Sequence, residues 1–499
     1  MQVESQHLTA CLARLWPECP LSLAPGPCRL VLDSRALTAG DVFVALPGVQ
    51  RDGREHIPAA LAAGAALVLC HQPEAGADMT PPEDPRVVSL PGLKARQGEL
   101  GRVLFGVPAE LPLIGVTGTN GKSSVTHYVA LLSEALGTPC GMIGTLGYGR
   151  PGALHDAGQT TPGPLALQAQ LGELVAAGAQ RVAMEVSSHA LAQDRLQDTR
   201  VTAAAFTNLS RDHLDYHGSM AAYAAAKARL FRRPELALAV VNADDPLARL
   251  MLAGVPKQGA VRVLATGRDE ATTLRVLDWQ PHPRGQRALV AGPEGEFALE
   301  LPLMGRFNLD NVLQAMALLY GLGEPLSALS EAAGQLAPVP GRMQLLRRPG
   351  RPGVVVDYAH TPDALDNALQ ALGDHLGDQG RLWCLFGCGG DRDPGKRALM
   401  GAAAAARADR LVITDDNPRG EAPAAIRAAI RQGLDDFPAE RVHELAGRAQ
   451  AIAWVIAQAA PEDVILLAGK GHETYQEIAG VRHPFCDREV AEAALEARP

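Results

Sequence analysis

Aromatic side chains are scarce, at 4% of residues, while alanine, leucine and valine are plentiful. That mixture suits helices packed on buried strands better than an all-β sandwich. The eight cysteines (Cys11, Cys19, Cys28, Cys70, Cys140, Cys384, Cys388 and Cys486) are scattered and form no CxxC pair. Cys384 and Cys388 lie in the apolar stretch LWCLFGCGG and read as small core residues rather than ligands. Scattered thiols in a long chain suit a reducing compartment. Basic residues are not in excess: 46 Lys and Arg stand against 55 Asp and Glu, a formal charge of −9. This argues against nonspecific nucleic-acid binding, which needs a basic surface to displace counterions. It also requires any phosphate site to be locally basic or bridged by metal. The first twenty residues lack a basic region followed by an apolar run, so no signal peptide is expected. The Ala-rich stretch around Ala59–Cys70 is too short to span a bilayer. A cytoplasmic protein is expected, without solenoid repeats or a disordered tail.

With 499 residues, 47% of them apolar, the chain exceeds one ordinary core, and three units are expected. The first, residues 1–104, carries the strand-like pieces CRLVLDS and DVFVALPG and an Ala-rich helix from about Pro58. The polar run QPEAGADMTPPEDP that follows reads as a loop. The second, 105–338, has strands expected at Leu111–Gly118, Arg181–Ser187, Thr202–Asn208 and Leu236–Asn242, with a closing helix from Leu309 to Tyr320. The third, 339–499, has strands expected in GVVVDYA, RLWCLFG, RLVITDD and DVILLAG. Short strands alternating with helices predict an α/β fold with parallel sheets, the last one doubly wound.

The sharpest local signal is GVTGTNGKSSV, Gly115–Val125. An apolar strand enters a glycine-rich turn and a helix-compatible run leaves it. Gly118 and Gly121 permit tight backbone geometry, and exposed N–H groups at a helix N-terminus favour an anion. Lys122 can reach β- and γ-phosphates and Ser123 can ligate Mg2+. The strict phosphate-loop pattern requires glycine where Val116 stands, so the loop is a variant. The bland alternative is an ordinary β–α turn.

Further motifs follow in order: EVSSHAL from Glu185, FTNLSRDHLDYHGSMAAYAAAK ending at Lys227, GRFNLDN from Gly305 and PGRMQ from Pro340. DYAHTPDAL starts at Asp357, FGCGGDRDPGKR at Phe386, DDNPRGEAP at Asp415 and AGKGHE at Ala468. With TGTNGKSS, LDSR and GDVFVALPGVQRDGREHI, the chain resembles the Mur ligases over essentially its whole length. The resemblance implies a small N-terminal UDP-binding domain, a central P-loop-type ATPase and a C-terminal Rossmann-like domain for the incoming amino acid. It implies an ADP-forming amide-bond ligase of cell-wall peptidoglycan synthesis. ATP phosphorylates the D-Glu side-chain carboxylate of UDP-N-acetylmuramoyl-L-alanyl-D-glutamate, and an amine of meso-diaminopimelate attacks the acyl phosphate. It also implies a monomer without membrane insertion.

The same resemblance distributes the site residues. ATP falls to Gly118, Thr119, Asn120, Gly121, Lys122, Ser123, Ser124, Asn308, Arg342 and Asp357. Metal falls to Ser123, Glu185, His213 and Lys227, the last carbamylated. A free lysine, with a pKa near ~10.4, would repel Mg2+, whereas a carbamate is an anionic oxygen ligand. Lys122, Lys227, His213 and Arg342 are the implied catalytic groups. The uridine end falls to Leu32, Ser34, Val49, Gln50 and Arg51. The central contacts fall to Gln159, Thr160, Thr161, Ser187, Gln193 and Arg195, where Gln159 and the 49–51 side chains depart from the usual pattern. Diaminopimelate falls to Arg392, Asp416, Asn417, Pro418, Arg419, Gly469 and Glu473. Arg419 suits a carboxylate that lysine as a substrate lacks, and Asp416 and Glu473 suit an ammonium.

Taken alone, Glu185 reads equally as a capping or salt-bridged carboxylate, His213 as a hydrogen-bonded structural group and Lys227 as a solvated helix lysine. Asn417-Pro418-Arg419 reads as a turn with a solvated arginine. Competing functions are an L-lysine-adding homologue, a ligase of the folylpolyglutamate synthetase type, a P-loop kinase and a non-catalytic nucleotide-binding regulator.

Overall fold

The computed structural model describes residues 1–19, 21, 23–48, 51–73, 80–256, 261–376, 379–434 and 437–497. Val49 and Gln50, and part of the loop expected after Gln72, lie outside the described residues. The chain is α/β, as expected, and packs as two compact units. One comprises Met1–Lys122, Gly137–Ala239 and Arg249–Arg262; the other comprises Ser123–Leu136, Val240–Ala248 and Val263–Pro499.

The first unit opens with a five-stranded sheet in chain order, Gln2–Glu4, Pro27–Val31, Val42–Ala45, Leu67–Gln72 and Val87–Pro91. The first pair is antiparallel and the rest are parallel. Helices Ser5–Leu15 and Gln97–Leu104 seal one face with Leu8, Leu12, Leu100 and Leu104. In the same unit Leu113–Thr117 lies between the parallel strands Arg181–Glu185 and Ala203–Phe206. Its five residues are all buried. A strand buried along its whole length belongs in a sheet covered on both faces. The register sets Glu185 beside Val116 and Phe206 beside Thr117, so these strands end together at one carboxyl edge. Cys140–Gly144 extends the sheet in parallel, and Gly147–Arg150 and Ala153–His155 continue it antiparallel.

In the second unit, strands Gly353–Asp357, Val464–Ala468, Leu382–Phe386 and Arg410–Ile413 pair in parallel in that spatial order. Alternate residues feed two cores. Val355, Cys384, Phe386, Leu411, Ile413 and Leu466 meet the helices Pro362–His375, Lys396–Ala405 and Pro423–Arg431. Val354, Val356, Leu385, Val412, Ile465 and Leu467 meet Arg448–Gln458 and Asp487–Ala497. This is the period of two expected of strands covered on both sides, and it makes the sheet doubly wound. Cys384 and Cys388 are core residues, as their apolar setting suggested.

Two features differ from the sequence reading. The helix expected from Leu309 begins at Arg306, directly after Gly305 at φ 84°, and ends at Gly321. The strands Arg262–Gly267, Leu274–His282, Gly285–Gly292 and Gly295–Leu301, partly a meander of hairpins, have no counterpart in it. Their buried Leu274, Val276, Ala288, Val290, Leu299 and Leu301 alternate with polar or exposed residues. Such half-covered strands leave no continuous apolar run to find. Among the described residues no helix is long and apolar enough to cross a membrane.

Candidate functional site

The strand Leu113–Thr117 delivers the glycine-rich turn to the carboxyl edge of its sheet, and the helix Lys122–Ala135 leaves it. Gly118 has φ 152°, and a Cβ there would meet the Thr207 hydroxyl at 1.8 Å. Gly121 has φ 85°. Both positions need glycine, one for closeness and one for backbone conformation. The turn is pinned from the neighbouring strand: the Asn120 N–H donates to Asn208 Oδ1 at 3.0 Å, and the Thr119 hydroxyl lies 3.2 Å from that of Tyr223. Lys122 Nζ donates to the Gly118 and Thr119 carbonyls at 3.0 and 2.8 Å.

Lys227 is not the solvated helix lysine its sequence surroundings suggested. It is 1% exposed, and its amine donates to the Gly118 carbonyl at 2.7 Å. The amine also sits 4.6 Å from the centre of the Tyr223 ring. Burial, and then the positive charge of Lys122, pulls its pKa down to about 6. Glu185 ends the adjacent strand and is buried; its Oε1 accepts from the Thr145 N–H at 2.8 Å and its Oε2 from the Thr145 hydroxyl at 3.3 Å. Among the described residues it caps no helix and forms no ion pair. His213 precedes the single-turn helix Leu214–His217 at φ 52°, half-exposed, 3.4 Å from Asp212. Its ring packs against His189 at 4.8 Å and Tyr223 at 6.0 Å between centroids. Among the described residues no three His, Cys, Asp or Glu side chains converge as a ready ligand set.

The central substrate residues converge. Arg195 donates to Gln159 Oε1 at 2.7 Å, the Thr161 carbonyl at 2.8 Å and Gln193 Oε1 at 2.7 Å. The Thr161 hydroxyl donates to the Glu185 carbonyl at 2.9 Å and receives the Ser187 N–H at 3.0 Å. Thr160 and Thr145 share a hydroxyl contact at 3.0 Å. Gln159, where the usual pattern differs, is therefore built into the network through Arg195. Of the uridine set, Leu32 is exposed, Ser34 starts a 3-10 turn capped by Asp33, and Arg51 is exposed.

In the second unit, Asn308 is buried with its amide turned inward: Oδ1 accepts from Tyr128 at 3.2 Å and Nδ2 donates to the Met304 carbonyl at 2.8 Å. The Asp357 carboxylate accepts the N–H groups of Met343 and Ala359, both at 2.8 Å, which ties the PGRMQ turn to the strand end. Burial pushes its pKa up, with Arg342 opposing. The Arg342 guanidinium lies over the Tyr358 ring at 4.7 Å. These contacts make Asn308 and Asp357 builders of the site as well as candidate ligand contacts.

The diaminopimelate candidates gather at the carboxyl edge of the doubly wound sheet, where such folds bind ligands. Asp416 follows Arg410–Ile413, and Gly469 follows Val464–Ala468. Asn417 Nδ2 donates to Glu473 Oε2 at 2.9 Å. Arg419 occupies the left-handed region at φ 49°, a conformation a non-glycine residue keeps only when its surroundings impose it. The constraint is visible: its N–H donates to the Glu477 carbonyl at 3.0 Å and its carbonyl accepts from Ala479 at 2.8 Å. Its guanidinium donates to the Gly390 carbonyl at 2.8 Å and lies 3.6 Å from Glu477. Arg419 is thus held, not solvated. Arg392 is exposed on the facing loop and Pro418 is buried.

Four participants escaped the sequence reading: Lys470, His189, His217 and Tyr223. Lys470 lies within AGKGHE, flanked by Gly469 and near Glu473, yet a lysine between two glycines reads as exposed loop. The histidines and Tyr223 fall inside quoted motifs, but only the tertiary structure packs their rings together.

Family comparison agrees with this geometry. The Mur ligase family catalytic domain matches residues 29–96, the Mur ligase middle domain 116–319 and the Mur ligase glutamate ligase domain 341–471. The UDP-N-acetylmuramoyl-L-alanyl-D-glutamate–2,6-diaminopimelate ligase of Pseudomonas aeruginosa is 52% identical, covering 94% of this chain and 95% of its own. The protein of the same name from Xanthomonas campestris pv. campestris is 46% identical, covering 97% of each. A solved structure of a ligase with that name superposes with a TM-score of 0.70 at 37% identity, covering 100% of this chain and 99% of its own. The Mycobacterium tuberculosis folylpolyglutamate synthase complexed with ADP shares the fold alone, with a TM-score of 0.59 at 21% identity over 75% of this chain and 92% of its own. From the glycine-rich turn to the last strand edge, the chain belongs to the Mur ligase family.

Proposed function

We propose that this protein is the ATP-dependent ligase that joins meso-diaminopimelate to UDP-N-acetylmuramoyl-L-alanyl-D-glutamate, forming ADP and phosphate. The observation that carries the reading is the receptor around Asp416, Asn417, Arg419 and Glu473. It offers the buried Asp416 carboxylate and the partly buried Glu473 carboxylate for an ammonium, and a conformationally fixed guanidinium for a carboxylate, the two charges of an amino-acid head group. A lysine substrate lacks the second carboxylate, so a held Arg419 favours diaminopimelate over L-lysine. The domains run 1–104 for the uridine end, 105–338 for ATP and 339–499 for the amino acid. The protein acts in the cytoplasm as a monomer.

The chemistry brings two anions together. The turn Gly118–Ser124 cradles the triphosphate with backbone N–H groups, and Lys122 offsets its charge. The network of Gln159, Thr160, Thr161, Ser187, Gln193 and Arg195 holds the peptide so that its D-Glu side-chain carboxylate faces the γ-phosphorus. Ser123, Glu185, His213 and Lys227, if carbamylated, would offer hard oxygens and one imidazole to Mg2+, and a bound ion would supply charge neutralisation. The carboxylate oxygen attacks phosphorus and the bond to ADP breaks. The diaminopimelate amine then attacks the acyl carbon, and phosphate departs from the tetrahedral intermediate. Holding the amine at the receptor makes that second attack effectively unimolecular.

Purified protein given ATP, Mg2+, the dipeptide nucleotide and meso-diaminopimelate should release one phosphate per tripeptide nucleotide formed, read by phosphate assay and mass spectrometry. ATP binding without phosphate release would instead support a regulator. Phosphate release with L-lysine matching that with diaminopimelate would support the lysine-adding alternative. Arg419→Ala should raise the KM for diaminopimelate roughly 30- to 100-fold, the loss expected of a two-point charged contact, with the KM for ATP within about twofold. Equal losses for both substrates would contradict the assignment.

A further inference from the structure

Lys470 is among the largest fully buried side chains of the molecule, with a relative exposure of 0%. Burying an ammonium is costly unless it is paired and hydrogen-bonded, so a lysine kept here is held by what surrounds it. Its Nζ donates to Glu473 Oε2 at 2.9 Å and to Asn417 Oδ1 at 3.2 Å, and lies 3.8 Å from Asp416 Oδ1. It also faces the Tyr475 ring at 5.6 Å. These partners come from two separate loops, 416–419 and 469–475, which leave two different strands. The same Asn417 oxygen accepts the Glu477 N–H at 2.9 Å, and Gln476 Nε2 donates to the Asp416 carbonyl at 2.6 Å, so Lys470 is the charged centre of a cross-loop knot.

Asp416 supplies an independent observation. Its Oδ1 is buried and has no hydrogen-bond partner. Lys470 comes near but is spent on Asn417 and Glu473. A buried carboxylate oxygen without a donor is rare in folded proteins and points to a ligand donor. Asp416 and Glu473 bring two negative charges and Lys470 one positive. The neighbouring Arg448–Asp487 and Arg419–Glu477 pairs are each balanced. One ammonium thus serves two carboxylates, and Asp416 keeps an oxygen free to accept a hydrogen bond from a ligand ammonium.

We propose that Lys470 is a positioning and charge-setting residue of the amino-acid receptor: it fixes Asn417 and Glu473 against each other and leaves Asp416 to receive one ammonium of the incoming substrate. The inference rests on the proposed function. Without Lys470 the carboxylates of Asp416 and Glu473 lose the ammonium that lies near both, and one would take up a proton or swing away. Either change removes an acceptor from the ammonium without touching the nucleotide side.

Lys470→Met keeps the stem and removes the charge. It should raise the KM for diaminopimelate roughly 30-fold, as loss of charged hydrogen bonds predicts, while the KM for ATP and for the dipeptide nucleotide stays within about twofold. Lys470→Ala should show the same defect, and propylammonium, which replaces the deleted atoms, should restore part of the affinity. Unchanged diaminopimelate affinity, or equal losses for all three substrates, overturns the inference. Where neither variant folds, lysine-selective 15N NMR of the wild type decides: saturation with diaminopimelate should move the slowly exchanging Lys470 ammonium signal, and a signal that does not move overturns it. Wild-type protein with no diaminopimelate-dependent phosphate release refutes the proposed function instead, so the two failures are distinguishable.

Discussion

Lys227→Ala should leave about one-thousandth or less of the wild-type turnover, and a short carboxylic acid such as propionate should return part of it. Three features of the side chain lead to this expectation. It is buried, its amine is fixed on the Gly118 carbonyl, and burial together with Lys122 keeps it largely neutral at pH 7. A neutral buried amine is the form that adds carbon dioxide, and a carbamate formed on Lys227, as proposed, would place a negative oxygen beside the phosphate loop. Deleting the side chain removes that oxygen and leaves a cavity that a small carboxylate can enter. The rescue separates charge supply from structural support, because an alkylamine of equal size should not rescue. Phosphate release with and without the acid measures the effect, and a 13C-bicarbonate carbamate resonance present in the wild type should vanish in the variant. Full activity of Lys227→Ala without additive would eliminate the role.

Arg448→Met should destabilise the doubly wound sheet by about 3–5 kcal/mol, the cost of stranding one partner of a buried ion pair. Arg448 and Asp487 are both fully buried and bonded twice, at 2.7 and 2.6 Å. The same guanidinium donates to the Ala468 carbonyl at 2.9 Å, the last residue before Gly469 and Lys470. The pair therefore joins the helices Arg448–Gln458 and Asp487–Ala497 and braces the strand end that carries the receptor. Replacing both partners by apolar residues, Arg448→Met with Asp487→Leu, should recover most of the stability, since no charge is then stranded. Urea unfolding followed by the fluorescence of Trp383 and Trp454, which pack in the same apolar cluster, provides the measurement. A loss under about 1 kcal/mol for the single variant would show that the pair is not the brace described.

Much of the architecture was readable beforehand, and the reasons are specific. Leu382–Phe386 and Val464–Ala468 are apolar at every position and Leu113–Thr117 at all but its last, and a run of that kind has few places to go but a sheet covered on both sides. Gly118 and Gly121 announced a tight turn because only that backbone needs them. The meander between Arg262 and Leu301 stayed hidden because its strands are covered on one side and broken by Pro281, Pro283 and Gly285.

Sequence by itself determined the fold class, the phosphate turn and the family, since each is written in local patterns: apolar runs, glycine spacing and motifs in fixed order. Tertiary structure alone decided the electrostatic state of the site. It buried Lys227 and Lys470, set Arg419 in a left-handed conformation and left Asp416 with an oxygen that accepts no hydrogen bond. The physical reason is that desolvation and charge pairing depend on which distant loops close over a group, and Gly118 with Lys227, or Asn417 with Lys470, lie too far apart along the chain for any local pattern to encode their meeting.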